Sequence, residues 1–263
     1  MTQINELLGF LRESVTPFHA VRAMCERLER AGFEAVERFD PSAMVRGRGY
    51  FMTKQGSSLM ALRAGAKELG GGLRLVGAHT DSPNLSVKPN PVTGRDGYVQ
   101  LAVDIYGGVL LNPWFDRDLA LAGRLTVLMA EGELRSVLFD SVSPVAVVPS
   151  LAIHLDREAN KQRSINPQKD VVPLVMLGDA KGFDFKSWLA ETLAEQEKTC
   201  VGARVMDYEL SLYDTQPPAL VGLDGSFITS ARLDNLLSCY AGLSAIIDAQ
   251  AAEWSMLVAT DHE

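Results

Sequence analysis

His79 and Asp81 stand two residues apart at the end of a short apolar run, Leu73-Arg74-Leu75-Val76-Gly77-Ala78. A neutral imidazole is a good ligand for a divalent metal, and a carboxylate two residues on can orient the ring or bind the metal itself. The same spacing also describes a hydrogen-bonded loop histidine beside a turn aspartate ahead of Pro83. Two further clusters sit at element boundaries. Asp234 opens a helical pattern, where a helix N-terminus favours a carboxylate in any case. Asp261-His262-Glu263 closes a second apolar run, a placement like that of His79, although a polar chain end accounts for it equally. If His79, Asp234 and the strand-end carboxylates converge at one sheet edge, the mixed nitrogen and oxygen ligation suits zinc or manganese. Two such ions bridged by one carboxylate can clamp a water and a substrate carbonyl, and a further glutamate can take the proton from that water.

Those residues need a frame that brings them together. The run at 73–79, bracketed by Gly70-Gly71-Gly72 and Pro83, reads as a buried strand. Ahead of it, Ile4, Leu7, Leu8 and Leu11, then Val21, Met24, Cys25 and Leu28, form two apolar helical stripes. Thr16 and Pro17 between them fit an N-cap and a first helical residue. His19, close behind, has no ligand partner nearby in sequence and reads as structural. Residues 50–53 and 58–63 flank a glycine-containing turn and predict a hairpin. Pro89, Pro91, Gly94 and Gly97 predict a linker. Strand patterns then dominate to about residue 225, interrupted by one helix near 185–196. Leu233, Leu236, Leu237, Tyr240, Leu243 and Ile246 restore helical spacing, and 255–260 reads as a buried strand. The expected organisation is an α/β domain with a mixed sheet over 1–85 and 227–263, interrupted by a β-rich domain over 86–226.

Composition narrows the function classes. A net charge of −8, with no basic run, argues against nucleic acid and anionic membrane as partners. Cys25, Cys200 and Cys239 are scattered, with no C-x-x-C, so neither a zinc ribbon nor a disulfide framework is indicated, and a cytoplasmic setting is expected. No apolar run approaches the roughly 20 residues of a membrane span. A serine hydrolase built on His79, Asp81 and Ser82 fits poorly, because no G-x-S-x-G occurs. A phosphate loop fits poorly too, because the triple glycine precedes a strand rather than following one.

The ordered segments Ser14-Val15-Thr16-Pro17-Phe18-His19-Ala20, Gly77-Ala78-His79-Thr80-Asp81-Ser82-Pro83, Trp114-Phe115-Asp116-Arg117-Asp118-Leu119, Leu151-Ala152-Ile153-His154-Leu155, Tyr213-Asp214-Thr215-Gln216-Pro217, Ala231-Arg232-Leu233-Asp234-Asn235 and Thr260-Asp261-His262-Glu263 closely resemble the aspartyl aminopeptidases. The resemblance spans nearly the whole chain. It implies a cocatalytic pair of divalent metals, zinc with manganese or cobalt as alternatives, and peptide substrates with acidic N-termini. His79 would bind one metal, Asp81 would hold its ring, Asp234 would bridge the two ions and Glu263 would be the general base. The β-rich insertion would mediate dimerisation, with dimers assembling into a large tetrahedral dodecamer. His154 matches a histidine that family members present to a neighbouring subunit's active site. Family members run on far beyond the Asp-His-Glu segment, where a further glutamate and a later aspartate and histidine complete the ligand set. The resemblance therefore implies that these 263 residues carry the opening ligands and the base of a longer enzyme. The alternative expectation is a truncated, non-catalytic assembly and dimerisation protein with an incomplete metal site.

Overall fold

The computed structural model describes residues 3–66, 72–250 and 252–262. In chain order the first elements are α1 (Gln3–Glu13), α2 (Pro17–Arg30), β1 (Glu34–Ala35), β2 (Gly49–Lys54), β3 (Ser58–Arg63) and β4 (Leu73–His79). β5 (Asn84–Arg95), β6 (Tyr98–Tyr106), β7 (Leu119–Leu128), β8 (Leu134–Asp140), β9 (Leu174–Leu177), α3 (Phe185–Gln196) and β10 (Arg204–Asp214) follow. The last are β11 (Ala219–Val221), β12 (Phe227–Thr229), α4 (Leu233–Asp248) and β13 (Trp254–Thr260). They form two compact units, one from Met1–Ser82 with Pro217–Glu263, the other from Pro83–Gln216. The β11–β12 hairpin pairs Ala219 with Thr229 and Val221 with Phe227 and stays with the first unit. An insertion drawn out to residue 226 cuts that hairpin between its strands.

The first unit is a five-stranded mixed sheet in the order β1-β2-β3-β13-β4 with helices on it. β13 enters between β3 and β4, antiparallel to the former and parallel to the latter. Helix α2 begins as its sequence dictates: Thr16 is the N-cap, its hydroxyl accepting from His19 N, and Pro17 fills the first turn. Phe10 and Leu11 of α1, Met24 and Leu28 of α2, and Leu236 and Leu243 of α4 share one core with Phe51, Leu59, Ala61 and Leu257 of the sheet. Arg63 closes the far end of α4. Its Nε and Nη2 donate to the carbonyls of Ile246 and Ile247 at 3.2 and 2.9 Å, which satisfies helix-end acceptors and complements the dipole. Gly242 lets α4 lie close on β13, since a Cβ there would meet Leu257 Cδ1 at 2.6 Å.

β4 departs from expectation. It is not buried: Leu73, Leu75 and Val76 are 42, 58 and 45 % exposed. The strand holds the outer position of its sheet, paired only with β13 among the described residues. An apolar run specifies a strand able to be buried, but the cover must come from another element.

The second unit is a six-stranded sheet in the order β8-β7-β10-β5-β6-β9, with α3 against its core. α3 is capped by Asp184, whose Oδ1 accepts from the amides of Lys186 and Ser187. Its Phe185, Leu189 and Leu193 are buried. The expected linker around Pro89 and Pro91 is instead the middle of β5. Pairing with β6 jumps from Val87↔Val103 to Val92↔Leu101, so four residues of β5, 88–91, run against one of β6, Ala102. Proline is tolerated in that bulge because the ladder asks no amide hydrogen of it. Tyr208 Oη, on neighbouring β10, donates toward the bulge carbonyls of Lys88 and Pro89 at 2.7 and 3.0 Å. Val145–Val148, which reads as a strand, makes only isolated bridges. No described helix is long and apolar enough to cross a membrane.

Candidate metal centre

The parallel pairing of β4 with β13 brings residues far apart in sequence to one strand end, with His79 opposite Thr260. The chain beyond each strand is then pinned. Thr80 N donates to Thr260 O at 2.7 Å, Thr80 Oγ1 donates to Ser57 O at 2.7 Å, and Asp261 N donates to Ser58 Oγ at 2.9 Å. Carboxyl ends of strands in such sheets are where crevices open for ligands.

His79 is held on every side. Its ring Nδ1 lies 3.2 Å from Asp81 Oδ1 and 3.1 Å from Asp81 O. Its backbone amide donates to Asn235 Oδ1 at 3.3 Å, and its carbonyl accepts from Cys239 Sγ at 3.1 Å. Burial, with the nearby Asp81 carboxylate, pushes the Cys239 thiol up to about 12, so it stays protonated and able to donate. The Asp81 side chain is buried, while the ring Nε2 faces Asp234 Oδ1 at 3.5 Å.

Asp234 comes from a distorted start to α4. Arg232 occupies the N-cap position in the left-handed region, at φ 62° and ψ 23°, and its side chain makes no capping bond. That conformation costs a non-glycine residue about 1–2 kcal/mol and persists where surroundings fix it. Asp234 and Asn235 are themselves non-helical, and the peptide between them is cis. Ser82 Oγ donates to Asp234 O at 3.0 Å, and Asn235 Nδ2 donates to Asp234 Oδ1 at 3.3 Å. The Asp234 carboxylate is 89 % exposed, so it is neither a helix cap nor a buried structural acid.

The expected site residues are distributed as follows. His79, Asp81 and Asp234 stand together. Asp261 is nearly buried, its Oδ1 accepting from His262 N at 2.9 Å, and His262 is exposed. Glu263 lies outside the described residues. His154 belongs to the second unit, exposed in a turn between the exposed Ile153 and Leu155. His19 is buried and bonded through Nδ1 to Thr16 Oγ1 at 2.8 Å, in keeping with a structural role. Desolvation, then the charges of Arg22 and Arg232, hold its pKa down at about 3. Cys25 is half-buried rather than buried.

A zinc ion tests the donor set. Two ligands of one tetrahedral zinc, with bonds of about 2.0–2.2 Å, stand roughly 3.4 Å apart, close to the 3.5 Å between His79 Nε2 and Asp234 Oδ1. Asp81 on the other ring nitrogen stands where the carboxylate of a carboxylate–histidine–metal relay would stand. These residues fit as two ligands and one orienting group. No cluster of three or more His, Cys, Asp or Glu able to hold a metal occurs among the described residues.

Sequence reasoning missed Asn235, Cys239 and Ser82 as supports of the site. Asn235 and Cys239 lie four residues apart on the element that carries Asp234, a spacing that places both on one face. That was the available signal.

Residues 10–263 match the M18 family, described as aminopeptidase I zinc metalloprotease. A probable M18 family aminopeptidase 2 of Ectopseudomonas mendocina is 52 % identical over 262 residues, covering 99 % of this chain and 61 % of that protein. Its counterpart in Pseudomonas entomophila is 50 % identical over 260 residues, covering 98 and 60 %. The chain thus spans about three fifths of the length of the curated relatives it matches. Among solved structures, Ape4 in its complex with Nbr1 superposes with a TM-score of 0.90 at 32 % identity, over 98 % of this chain and 54 % of that one. Chaetomium thermophilum mApe1 gives 0.84 at 29 % identity, over 98 and 62 %.

Proposed function

The chain belongs to the M18 aminopeptidase I zinc metalloproteases, and from that premise we propose that it carries part of the active site of a metal-dependent aminopeptidase removing acidic N-terminal residues from peptides. The observation that carries this reading is the His79–Asp234 pair, 3.5 Å apart, with Asp81 behind the ring. Two divalent ions, zinc first, would be held with His79 on one and Asp234 between them. When bound, zinc supplies Lewis acidity and lowers the pKa of a coordinated water.

The protein's own groups do the rest. Asp81 fixes the orientation of the His79 ring, so that Nε2 presents its lone pair toward Asp234. Cys239 and Asn235 hold the His79 main chain from α4, so the ring and the Asp234 carboxylate move as one body. Glu263 takes the proton of the attacking water on its carboxylate and returns it to the departing amine. His154 would reach the active site of a neighbouring subunit. Exposed Leu151, Ile153 and Leu155 around it suit a loop that packs on another copy. A Saccharomyces mApe1 of 25 % identity is described as a dodecamer, which supports self-association. Three free, scattered cysteines support a cytoplasmic setting.

The alternative reading is a non-catalytic assembly and dimerisation unit with an incomplete metal site. Release of the first residue from peptides beginning with Asp, Glu, Leu or Lys, measured with zinc, manganese or cobalt, separates the two. The enzyme reading expects Asp and Glu to be preferred at least about tenfold and Asp234→Asn to lower kcat/KM by about a hundredfold or more. Equal turnover of Leu peptides overturns the acidic preference. No turnover by the whole protein with bound metal overturns the enzyme reading.

A further inference from the structure

The turn that presents Asp234 is fastened from two directions. One set of contacts comes from the end of β4: Ser82 Oγ to Asp234 O, and His79 N to Asn235 Oδ1. The other comes from the α1–α2 connection, where Arg232 Nε donates to Ser14 O at 3.1 Å across 218 positions of sequence. Ser14 begins the α1–α2 connection, is buried, and is followed by Thr16, the cap of α2. The backbone at Arg232 is left-handed, the amide of Leu236 returns to Arg232 O, and Asp234 and Asn235 leave helical geometry directly after it. A left-handed arginine next to an exposed carboxylate is not what helix initiation asks for. Serine, threonine, asparagine or aspartate would cap this helix and glycine would relax this backbone.

We propose that Arg232 is a positioning residue for Asp234: its guanidinium, tied to the Ser14 carbonyl, fixes the left-handed turn that aims the Asp234 carboxylate at the His79 ring. The proposal rests on the metal-site reading above. Arg232 acts through the main chain in this role. It anchors the main chain two residues upstream, as the contacts from Ser82 and His79 anchor it downstream. Removing the upstream tie leaves the carboxylate on a turn held at one end.

The test is zinc binding and peptide hydrolysis by the whole protein carrying Arg232→Gly, Arg232→Lys and, as control, Asp234→Asn. Glycine accepts the left-handed backbone and removes the guanidinium with its tie to Ser14. The expected result for Arg232→Gly is a zinc affinity weakened about tenfold or more, kcat lowered by a similar factor, KM within about twofold and an unchanged melting temperature. Arg232→Lys keeps the charge without the Nε donor and should lose the same affinity. Wild-type zinc affinity in Arg232→Gly, with or without a lower melting temperature, overturns the proposal. So does full rescue by Arg232→Lys, which also decides the matter should Arg232→Gly not fold. If Asp234→Asn binds zinc like the wild type, the metal-site reading fails instead. If Asp234→Asn loses zinc and Arg232→Gly does not, only the positioning role fails.

Discussion

Strands β4 and β7 begin alike and end in opposite surroundings. Leu73-Arg74-Leu75-Val76-Gly77 and Leu119-Ala120-Leu121-Ala122-Gly123 are both apolar apart from Arg74, with glycine in fifth place. β7 lies between β8 and β10, and its first five residues are all buried. β4 is the outer strand of its sheet, and its first five residues are all exposed. The glycines differ as sharply. A Cβ at Gly123, where φ is 156°, would sit 1.9 Å from Glu209 O, whereas at Gly77 it would meet nothing within 4 Å. Apolar pattern states what a strand is able to bury, and neighbours decide whether it does.

The largest effect that tests this comparison is at the two glycines. Gly123→Ala should destabilise the second unit by more than about 4 kcal/mol or prevent its folding, since the obstacle is backbone. Gly77→Ala should stay within about 0.5 kcal/mol. Urea denaturation followed by circular dichroism measures both, and a tolerated Gly123→Ala breaks the contrast. Next in size, Leu125→Ala in buried β7 should cost about 2–5 kcal/mol through lost burial and a cavity, while Leu75→Ala in β4 should again cost no more than about 0.5 kcal/mol. A comparable loss at Leu75 would mean that β4 is covered in solution. The last effect is graded with pH and concerns the helical side of the first unit. His19 is buried there, and its folded pKa is about 3 against 6.5 for the free residue, lowered by desolvation, then Arg22 and Arg232. The unfolded chain therefore binds a proton that the folded one refuses. Stability is complete above pH 6.5 and falls as pH drops toward 3, by at most about 1.4 kcal/mol per pH unit. His19→Gln should flatten that slope in denaturant midpoints recorded from pH 7 to 4. An unchanged slope would show that this histidine is solvated.

Local chemistry was legible in the sequence where it was self-contained. Thr16 and Pro17 announced the start of α2, and the glycine-containing turn at Lys54–Ser57 announced the β2–β3 hairpin. Helix α3 fell within the expected 185–196. Pairings across long separations were not legible. The bulge that admits Pro89 and Pro91 into β5 exists because β6 and Tyr208 accommodate it, and neither partner is implied by the proline spacing. At the candidate site the ligand types His79 and Asp234 could be chosen from chemistry. The supports Asn235, Cys239 and Ser82 could not, because each contributes one hydrogen bond to a main chain whose path the sequence does not display.

The place of β13 between β3 and β4 has a consequence in time. β3 and β4 are consecutive in sequence, yet neither has its sheet neighbour on that side until residues 254–260 emerge from the ribosome. The 134 residues of the other unit, Pro83–Gln216, are all synthesised before then. Its antiparallel strands β5–β6 and β7–β8 are each joined by a short turn and pair locally. The inserted unit is thus free to finish while the sheet that hosts His79 still waits for the strand that joins β3 to β4. The meeting of His79 with Asp234 must wait until the chain on either side of that unit is brought together, because a long loop has to close first.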